Sequence, residues 1–171
     1  MVTEHIKRGS DPLRVAISLG SNLGDRRAHL DYAIDALKLD LNDVAVSSFI
    51  QTVPVGVGPE HGMYLNAAVV GHTTLSARDL LDRLLEIEEE RGRMRPYPMA
   101  PRTLDLDLIL YGDEVINESD LRVPHPEFRE REFVLRPLAE IAPEMIDPIT
   151  RKTVRQLSRE LSAEGLSSQQ G

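Results

Sequence analysis

The 171-residue sequence contains no cysteine and no tryptophan. Without cysteine, the chain can form neither a disulfide bond nor a thiolate metal site. No apolar run approaches the length of a membrane span, and residues 1–10 lack the apolar middle of a signal peptide. We therefore expect a soluble, cytoplasmic protein that does not associate with membranes.

Basic residues are also scarce relative to acidic ones. Lysine and arginine total 20 against 28 aspartate and glutamate residues, the formal charge is −8, and aromatic residues make up only 4% of the chain. This balance argues against a nucleic-acid partner, because it provides little attraction for a phosphate backbone and few rings for base stacking. A local positive pocket for a small anion is still expected, because seven arginines fall in one segment: Arg91, Arg93, Arg95, Arg102, Arg122, Arg129 and Arg131.

The length is typical of one domain that buries a core without disulfides or structural metals. We predict a single domain over residues 13–161. Residues 1–12 and 162–171 are polar and lack a hydrophobic period, which favours flexible termini.

Hydrophobic periodicity predicts alternating strands and helices. Helices are expected after the N-cap candidates Asp25 and Ser76, where apolar residues recur at i, i+3, i+4 and i+7. The predicted strands are 13–19, 44–51, 64–70 and 104–111, followed by short strands at 114–116 and 121–123 and a helix at 151–161. This order indicates an α+β fold, a ferredoxin-like βαββαβ core with an antiparallel sheet, extra short strands and C-terminal helical segments.

The fourth predicted strand carries two aspartates on one face, because Asp105, Asp107, Ile109 and Tyr111 alternate with leucines. Their Cα atoms are expected about 7 Å apart, so the carboxylates repel unless a cation lies between them. Aspartate is a poor strand former, and oxygen-only pairs suit Mg²⁺ that also binds phosphates and water. The pattern alone leaves open either a metal and phosphate site or a polar strand face in water.

Other residues are functional candidates that also have structural alternatives. The Gly20–Asp25 turn could bind phosphate through backbone N–H groups or simply connect strand and helix. Tyr64 and Asn66 share a strand face and could contact one ligand. Glu88 continues the apolar row of its helix, which favours either a buried partner or a solvated helix end. His125 has proline on both sides, which restricts its backbone to extended conformations.

Six motifs in order carry a resemblance to one family. They are Ser18-Leu19-Gly20-Ser21-Asn22-Leu23-Gly24-Asp25, Thr52-x-Pro54-x-Gly56, Tyr64-Leu65-Asn66-Ala67, Gly92-Arg93-x-Arg95, Pro101-Arg102-Thr103-Leu104-Asp105-Leu106-Asp107, and Val123-Pro124-His125-Pro126 with Arg131 and Phe133. From Val15 to Pro143 the chain resembles the 6-hydroxymethyl-7,8-dihydropterin pyrophosphokinase family. The resemblance implies a folate-biosynthesis transferase that moves pyrophosphate from ATP to the pterin alcohol and releases AMP.

The resemblance also implies roles for individual residues. The implied catalytic residues are Arg93, Arg102, Asp105 and Asp107, of which Asp105 and Asp107 would hold two Mg²⁺ ions. The implied pterin-binding residues are Thr52, Pro54, Val55, Tyr64, Asn66 and Phe133, with the two rings stacking on the pterin. The implied ATP-binding residues are Glu88, Arg95, Leu108, Arg122, His125 and Arg131. ATP and hydroxymethyl-dihydropterin are the implied partners, and we expect a monomer.

Two loops depart from the family pattern. Pro98-Met99-Ala100 stands where the family usually carries Arg-Trp-Gly, and His61-Gly62 replaces its Gln-Pro. A non-catalytic pterin- or nucleotide-binding homologue is therefore a second hypothesis. A Mg²⁺-dependent phosphohydrolase or nuclease is a third, because carboxylate pairs serve those reactions as well.

Overall fold

The computed structural model describes residues 11–53, 62–92 and 103–170, the last five by their backbone alone. Within these ranges the strands are β1 Leu13–Ser21, β2 Asn42–Val46, β3 Ile50–Thr52, β4 Tyr64–Thr73, β5 Asp105–Tyr111, β6 Ile116–Asn117 and β7 Arg122–Val123. The helices are α1 Arg26–Asp40, α2 Ala77–Glu90, α3 Glu132–Ile141 and α4 Val154–Gln170, with a 3₁₀ turn at Phe128–Glu130.

The main sheet is antiparallel, with the strand order β2-β4-β1-β5 and β3 paired to β4. The strands β6 and β7 form a separate hairpin. The predicted mixed α/β fold with an antiparallel sheet is therefore confirmed.

Both predicted helix starts are confirmed by their capping hydrogen bonds. The Asp25 carboxylate accepts from the Ala28 N–H at 3.1 Å, and the Ser76 hydroxyl accepts from the Asp79 N–H at 3.1 Å. Each bond satisfies a backbone donor that the first helical turn leaves without an internal partner.

Two cores cover the opposite faces of the sheet. The first core packs apolar residues of α1 and α2 against alternate residues of β1, β4 and β5. The second core packs α3, α4 and the buried Phe128 against the other face, near Ala16, Ala68 and Val70. Because side chains alternate along each strand, Asn66, Asp105 and Asp107 lie on the face that carries the second core.

The prediction of one continuous strand over 44–51 is wrong, because β2 ends at Val46 and β3 begins at Ile50. Between them, Ser47 exchanges two hydrogen bonds with Ala68, through its backbone N–H and its hydroxyl. The backbone N–H and hydroxyl of Ser48 donate to the Glu140 carboxylate of α3. These bonds interrupt the pairing with β4, which β2 makes before this point and β3 resumes after it.

The predicted alternation of β5 is wrong at its C-terminal end. The register with β1 shifts so that Ala16 faces Leu110 while Ile17 faces Leu108, which leaves Ile109 as an extra residue. This bulge turns Leu110 into the second core and Tyr111 into the first core. The buried Tyr111 hydroxyl donates to the Leu75 carbonyl at 2.6 Å.

The backbone from 162 to 170, where we expected a flexible terminus, continues α4 as helix. The helix also begins at Val154 rather than Arg151, because Arg151 adopts a left-handed turn with φ of 66°. Val154 and Leu157 anchor the first turn of α4 in the second core. Across the described ranges, no helix combines the length and apolar composition that crossing a bilayer requires.

Candidate active site

A cross-strand row brings two predicted groups of site residues onto one face of the sheet. Asn66 of β4 lies opposite Gly20 of β1, and Gly20 lies opposite Asp105 of β5. Asp107 lies opposite Ser18 in the same way. Because neighbouring strands are about 4.8 Å apart, Asn66 and Asp105 are separated by about 10 Å.

Gly20 leaves open space beside the predicted pterin-binding side chains. A Cβ atom at this position would lie 3.4 Å from Asn66 Oδ1 and 3.7 Å from Cδ1 of the Tyr64 ring. Any larger side chain would occupy the surface between Asn66 and Asp105. Gly20 lies inside β1 and not in the turn predicted from Gly20 to Asp25, and a glycine within a strand is itself a signal of close approach.

Asn66 is held by a neighbouring strand. Its Nδ2 donates to Thr52 Oγ1 at 2.7 Å, and the residue is only 3% exposed. Since Thr52 lies opposite Tyr64 in the β3–β4 ladder, the three residues form one connected group. The hydrogen bond orients the amide and leaves Oδ1 on the side of Gly20.

A cavity of about 350 Å³ adjoins this group and contains both pterin- and ATP-assigned residues. Thr52 lines it from the sheet, and Phe133 and Arg131 line it from the start of α3. The Arg131 guanidinium lies 5.7 Å from the centre of the Phe133 ring. Arg136, which sequence analysis did not select, also lines the cavity, one helical turn after Phe133.

His125 is anchored through its backbone and its ring. Its N–H donates to the Ile109 carbonyl at 2.9 Å, beside the bulge in β5. Its Nδ1 accepts from the Glu127 N–H at 3.1 Å, so the neutral ring carries its proton on Nε2. Arg131 donates to the Glu127 carboxylate, which links both predicted ATP-binding residues.

The surroundings of His125 favour its neutral form. Burial lowers the pKa of His125, and the positive charge of Arg131 lowers it further. The carboxylates of Glu127 and Asp105 act in the opposite direction but do not outweigh these effects. The ring can therefore donate a hydrogen bond from Nε2, and it lies close enough to Asp105 for the two charges to interact when the ring is protonated.

Glu88 has a buried partner, as one of its two interpretations predicted. It is 3% exposed, and its carboxylate accepts from the Leu106 N–H at 2.7 Å. Leu106 belongs to the sheet-edge strand β5, between Asp105 and Asp107. Glu88 thus supports the strand from the face opposite the two carboxylates.

Besides Glu88, two other predicted ATP-binding side chains are not brought to this face. Leu108 is 5% exposed and packs in the first core. Arg122 is exposed in β7, where it pairs with Asn117. Five of the predicted site residues lie outside the described residues: Pro54, Val55, Arg93, Arg95 and Arg102. The segment Pro98-Met99-Ala100, which departs from the family pattern, lies outside them as well.

The carboxylates of Asp105 and Asp107 fit a magnesium ion that takes only part of its ligands from the protein. Both residues are partly exposed, and the residues opposite them, Gly20 and Ser18, are small. Within the described ranges, no three histidine, aspartate or glutamate side chains group closely enough to hold a metal by themselves. An ion here would complete its shell with phosphate oxygens and water, as Mg²⁺ prefers.

Comparisons with known proteins identify the family of the chain. The family model of 7,8-dihydro-6-hydroxymethylpterin-pyrophosphokinase (HPPK) matches residues 16–143. The 2-amino-4-hydroxy-6-hydroxymethyldihydropteridine pyrophosphokinase of Synechocystis sp. is 42% identical over 143 residues, covering 82% of this chain and 72% of that protein. The Aquifex aeolicus protein of the same name is 36% identical over 146 residues, covering 85% of this chain and 91% of that protein.

A solved structure shares the fold at low identity. Plasmodium falciparum HPPK-DHPS wild type with SDX-DHP matches with a TM-score of 0.72 at 15% identity. The match covers 93% of this chain and 46% of that chain, so this chain spans less than half of the longer protein. Because the family model covers most of the chain and two relatives exceed 30% identity over most of its length, the chain belongs to the 7,8-dihydro-6-hydroxymethylpterin-pyrophosphokinase family.

Proposed function

We propose that this chain transfers pyrophosphate from ATP to the hydroxymethyl group of 6-hydroxymethyl-7,8-dihydropterin and releases AMP, as a step of folate biosynthesis. Family membership supports this activity, and one structural observation carries it. The amide of Asn66 and the carboxylate of Asp105 face the same surface across Gly20. A pterin on one side of the row and a triphosphate on the other would therefore meet over Gly20.

The pterin half of the site consists of Tyr64, Asn66, Thr52 and Phe133. The two rings supply flat apolar surface for stacking, which contributes affinity but little selectivity. The buried Asn66 amide supplies selectivity, because a ligand that cannot match a buried polar group leaves it unpaired. The bond from Asn66 to Thr52 holds the amide in place before the ligand arrives.

The triphosphate half consists of Asp105 and Asp107, with His125 and Arg131 beside them. Asp105 and Asp107 would hold two Mg²⁺ ions, with the remaining ligands from ATP and water. Bound Mg²⁺ supplies neutralisation of the phosphate charge during transfer. His125 donates from Nε2 and Arg131 donates from its guanidinium, so both suit phosphate oxygens.

The remaining assignments rest on the resemblance. Arg93, Arg95 and Arg102 would clamp the triphosphate, Pro54 and Val55 would complete the pterin edge, and Arg122 and the backbone of Leu108 would contact ATP. Glu88, which the resemblance also assigns to ATP, would act indirectly, by holding Leu106 of β5 between Asp105 and Asp107. We further propose that the sheet and helices α1 and α2 form a ferredoxin-like core, and that residues 13–161 act as one monomeric domain.

A product assay tests the proposed function. The protein is incubated with ATP, Mg²⁺ and 6-hydroxymethyl-7,8-dihydropterin, and the phosphorus-containing products are followed by ³¹P NMR. We expect AMP and a pterin diphosphate ester, formed only when the pterin is present. Release of ADP, or AMP formation that does not depend on the pterin, would contradict the proposal.

A further inference from the structure

Arg26 connects two strands at the edge of the proposed pterin site. Its Nη1 donates to the Met63 carbonyl at 2.7 Å, and its Nη2 donates to Gln51 Oε1 at 3.3 Å. Gln51 directly precedes Thr52, and Met63 directly precedes Tyr64. One guanidinium therefore binds both sides of the β3–β4 ladder, next to the pair that Thr52 and Tyr64 form.

The β3–β4 ladder that Arg26 adjoins is short. The strand β3 spans Ile50–Thr52, and its only strand partner among the described residues is β4. A three-residue strand has few ladder bonds to hold its register, so a side chain that reaches both strands has a large relative effect. The planar guanidinium suits this task, because it can direct separate N–H groups to two acceptors at once.

The position of Arg26 is unfavourable for the helix that carries it. It is the first residue of α1, and the first turn of α1 contains no acidic residue. The N-terminal end of a helix carries a partial positive charge, so a cation there is disfavoured. Arg26 is electrostatically unfavourable at this position of α1, but it bonds to Gln51 and Met63. We therefore attribute the presence of arginine at this position to those two bonds.

We propose that Arg26 is a positioning residue for pterin binding. It holds Gln51 and Met63 together, and this fixes Thr52 relative to Asn66 and Tyr64. The inference rests on the proposed function, because it assigns these three residues to the pterin. Arg26 itself does not touch the reacting atoms.

Arg27 offers a matched control. It occupies the next position of the same helical turn, and its guanidinium lies 4.7 Å from the centre of the Phe49 ring. Arg26→Gln and Arg27→Gln each remove one positive charge from the start of α1. Only Arg26→Gln removes the bonds to Gln51 and Met63, so the comparison cancels the effect on the helix dipole.

Steady-state kinetics with varied pterin and varied ATP test the proposal. We expect Arg26→Gln to raise KM for the pterin about tenfold, because small misplacements of binding groups are amplified in affinity. KM for ATP should change less than about twofold, and Arg27→Gln should leave both values near wild type. Arg26→Lys keeps the charge and can reach one acceptor, so its KM for the pterin should lie between those of wild type and Arg26→Gln.

Hydrogen exchange gives a second readout that does not depend on activity. Amides in residues 50–53 and 62–66 should exchange faster in Arg26→Gln than in Arg27→Gln. Equal pterin KM values and equal exchange in the two variants would overturn the role of Arg26 while leaving the proposed function intact. A wild-type protein that forms no pterin diphosphate would instead overturn the proposed function, and the exchange comparison would still decide whether Arg26 holds the two strands.

Discussion

Asp107 lies opposite Ser18 in the β1–β5 ladder and is partly exposed, so its side chain does not fill a core. We expect Asp107→Ala to lower turnover by about 10³-fold or more, because metal-supported charge neutralisation contributes several kcal/mol to such transfers. The free energy of unfolding should change little. Turnover is measured with both substrates saturating, and unfolding is followed in urea.

Asp113 provides the control for that experiment. It is an exposed aspartate in the turn that follows β5, outside the site described above. Asp113→Ala should retain normal turnover. Near-normal turnover in Asp107→Ala would remove the argument that this carboxylate supports the transfer.

His125 makes folding stability depend on pH in a defined direction. Burial and Arg131 lower its pKa in the folded state, so near pH 6 the unfolded chain binds more protons than the folded one. Stability should therefore fall as the pH drops below the ordinary histidine value of about 6.5. We expect His125→Asn, whose Oδ1 can still accept from Glu127, to reduce that loss.

Urea unfolding between pH 7.5 and pH 5 measures the effect of His125. Some dependence should remain in the variant, because burial and Arg91 also lower the pKa of His29. Identical pH dependence in wild type and His125→Asn would show that His125 is not held neutral by its surroundings.

The edge strand β5 depends on α2 for one of its backbone bonds. Glu88 accepts from the Leu106 N–H, and its removal would leave that donor at the buried junction of helix and strand. We expect Glu88→Ala to destabilise the protein by about 2 kcal/mol, the usual effect of an unpaired buried donor. Turnover should also fall, because Leu106 lies between the two aspartates.

Glu89, the exposed neighbour of Glu88, supplies the comparison. Glu89→Ala should change the free energy of unfolding by less than about 0.5 kcal/mol. Urea denaturation of both variants measures the difference. A Glu88→Ala protein as stable as Glu89→Ala would mean that Leu106 needs no support from α2.

The 3₁₀ turn that precedes Arg131 is attached to the C-terminal region by a buried ion pair. Asp147 is fully buried and accepts from Arg129 through both carboxylate oxygens, and from the Thr150 hydroxyl at 2.7 Å. Burial alone would raise the pKa of Asp147, but the bonds from Arg129 and Thr150 hold it below its ordinary value. The carboxylate therefore stabilises the fold above about pH 4, and this contribution is lost as acid protonates it.

We expect Asp147→Asn to destabilise the protein by about 3 kcal/mol at pH 7, because it leaves the Arg129 charge without its buried partner. The variant should lose less of its remaining stability in acid than wild type does. Glu144→Gln, which breaks the exposed pair with Arg14, should have little effect. Urea titrations at pH 7 and pH 3 measure all three proteins, and equal stability of the two variants at pH 7 would contradict this account.

At the scale of the whole molecule, local signals predicted α1, α2 and the main strands of the sheet, but not α3 or the split between β2 and β3. The capping residues Asp25 and Ser76 and the alternation around Asp105 depend only on neighbouring residues, so sequence alone was sufficient for them. One of the two interpretations of Glu88 predicted a buried partner, but it did not identify that partner as Leu106.

The remaining features depend on contacts between distant segments. Glu140, 92 positions after Ser48, helps to separate β2 from β3. The bulge at Ile109 could not be predicted from the sequence. Leu110 and Tyr111, which follow it, are both apolar, so the sequence pattern is compatible with either residue facing either core. The bonds from Arg26 join three segments, and no local pattern indicates them. The continuation of α4 shows that a helix anchored by Val154 and Leu157 can propagate into polar sequence.

The central claim is that Asp105, Asp107 and Asn66 serve one reaction across Gly20. A crystal structure with Mg²⁺, a non-hydrolysable ATP analogue and 6-hydroxymethyl-7,8-dihydropterin tests it most directly. We predict Mg²⁺ bound to both aspartates and to phosphate oxygens, with the pterin between Tyr64 and Phe133 and hydrogen-bonded to Asn66. Ions bound elsewhere, with the two carboxylates turned apart, or a pterin remote from Asn66, would contradict the claim.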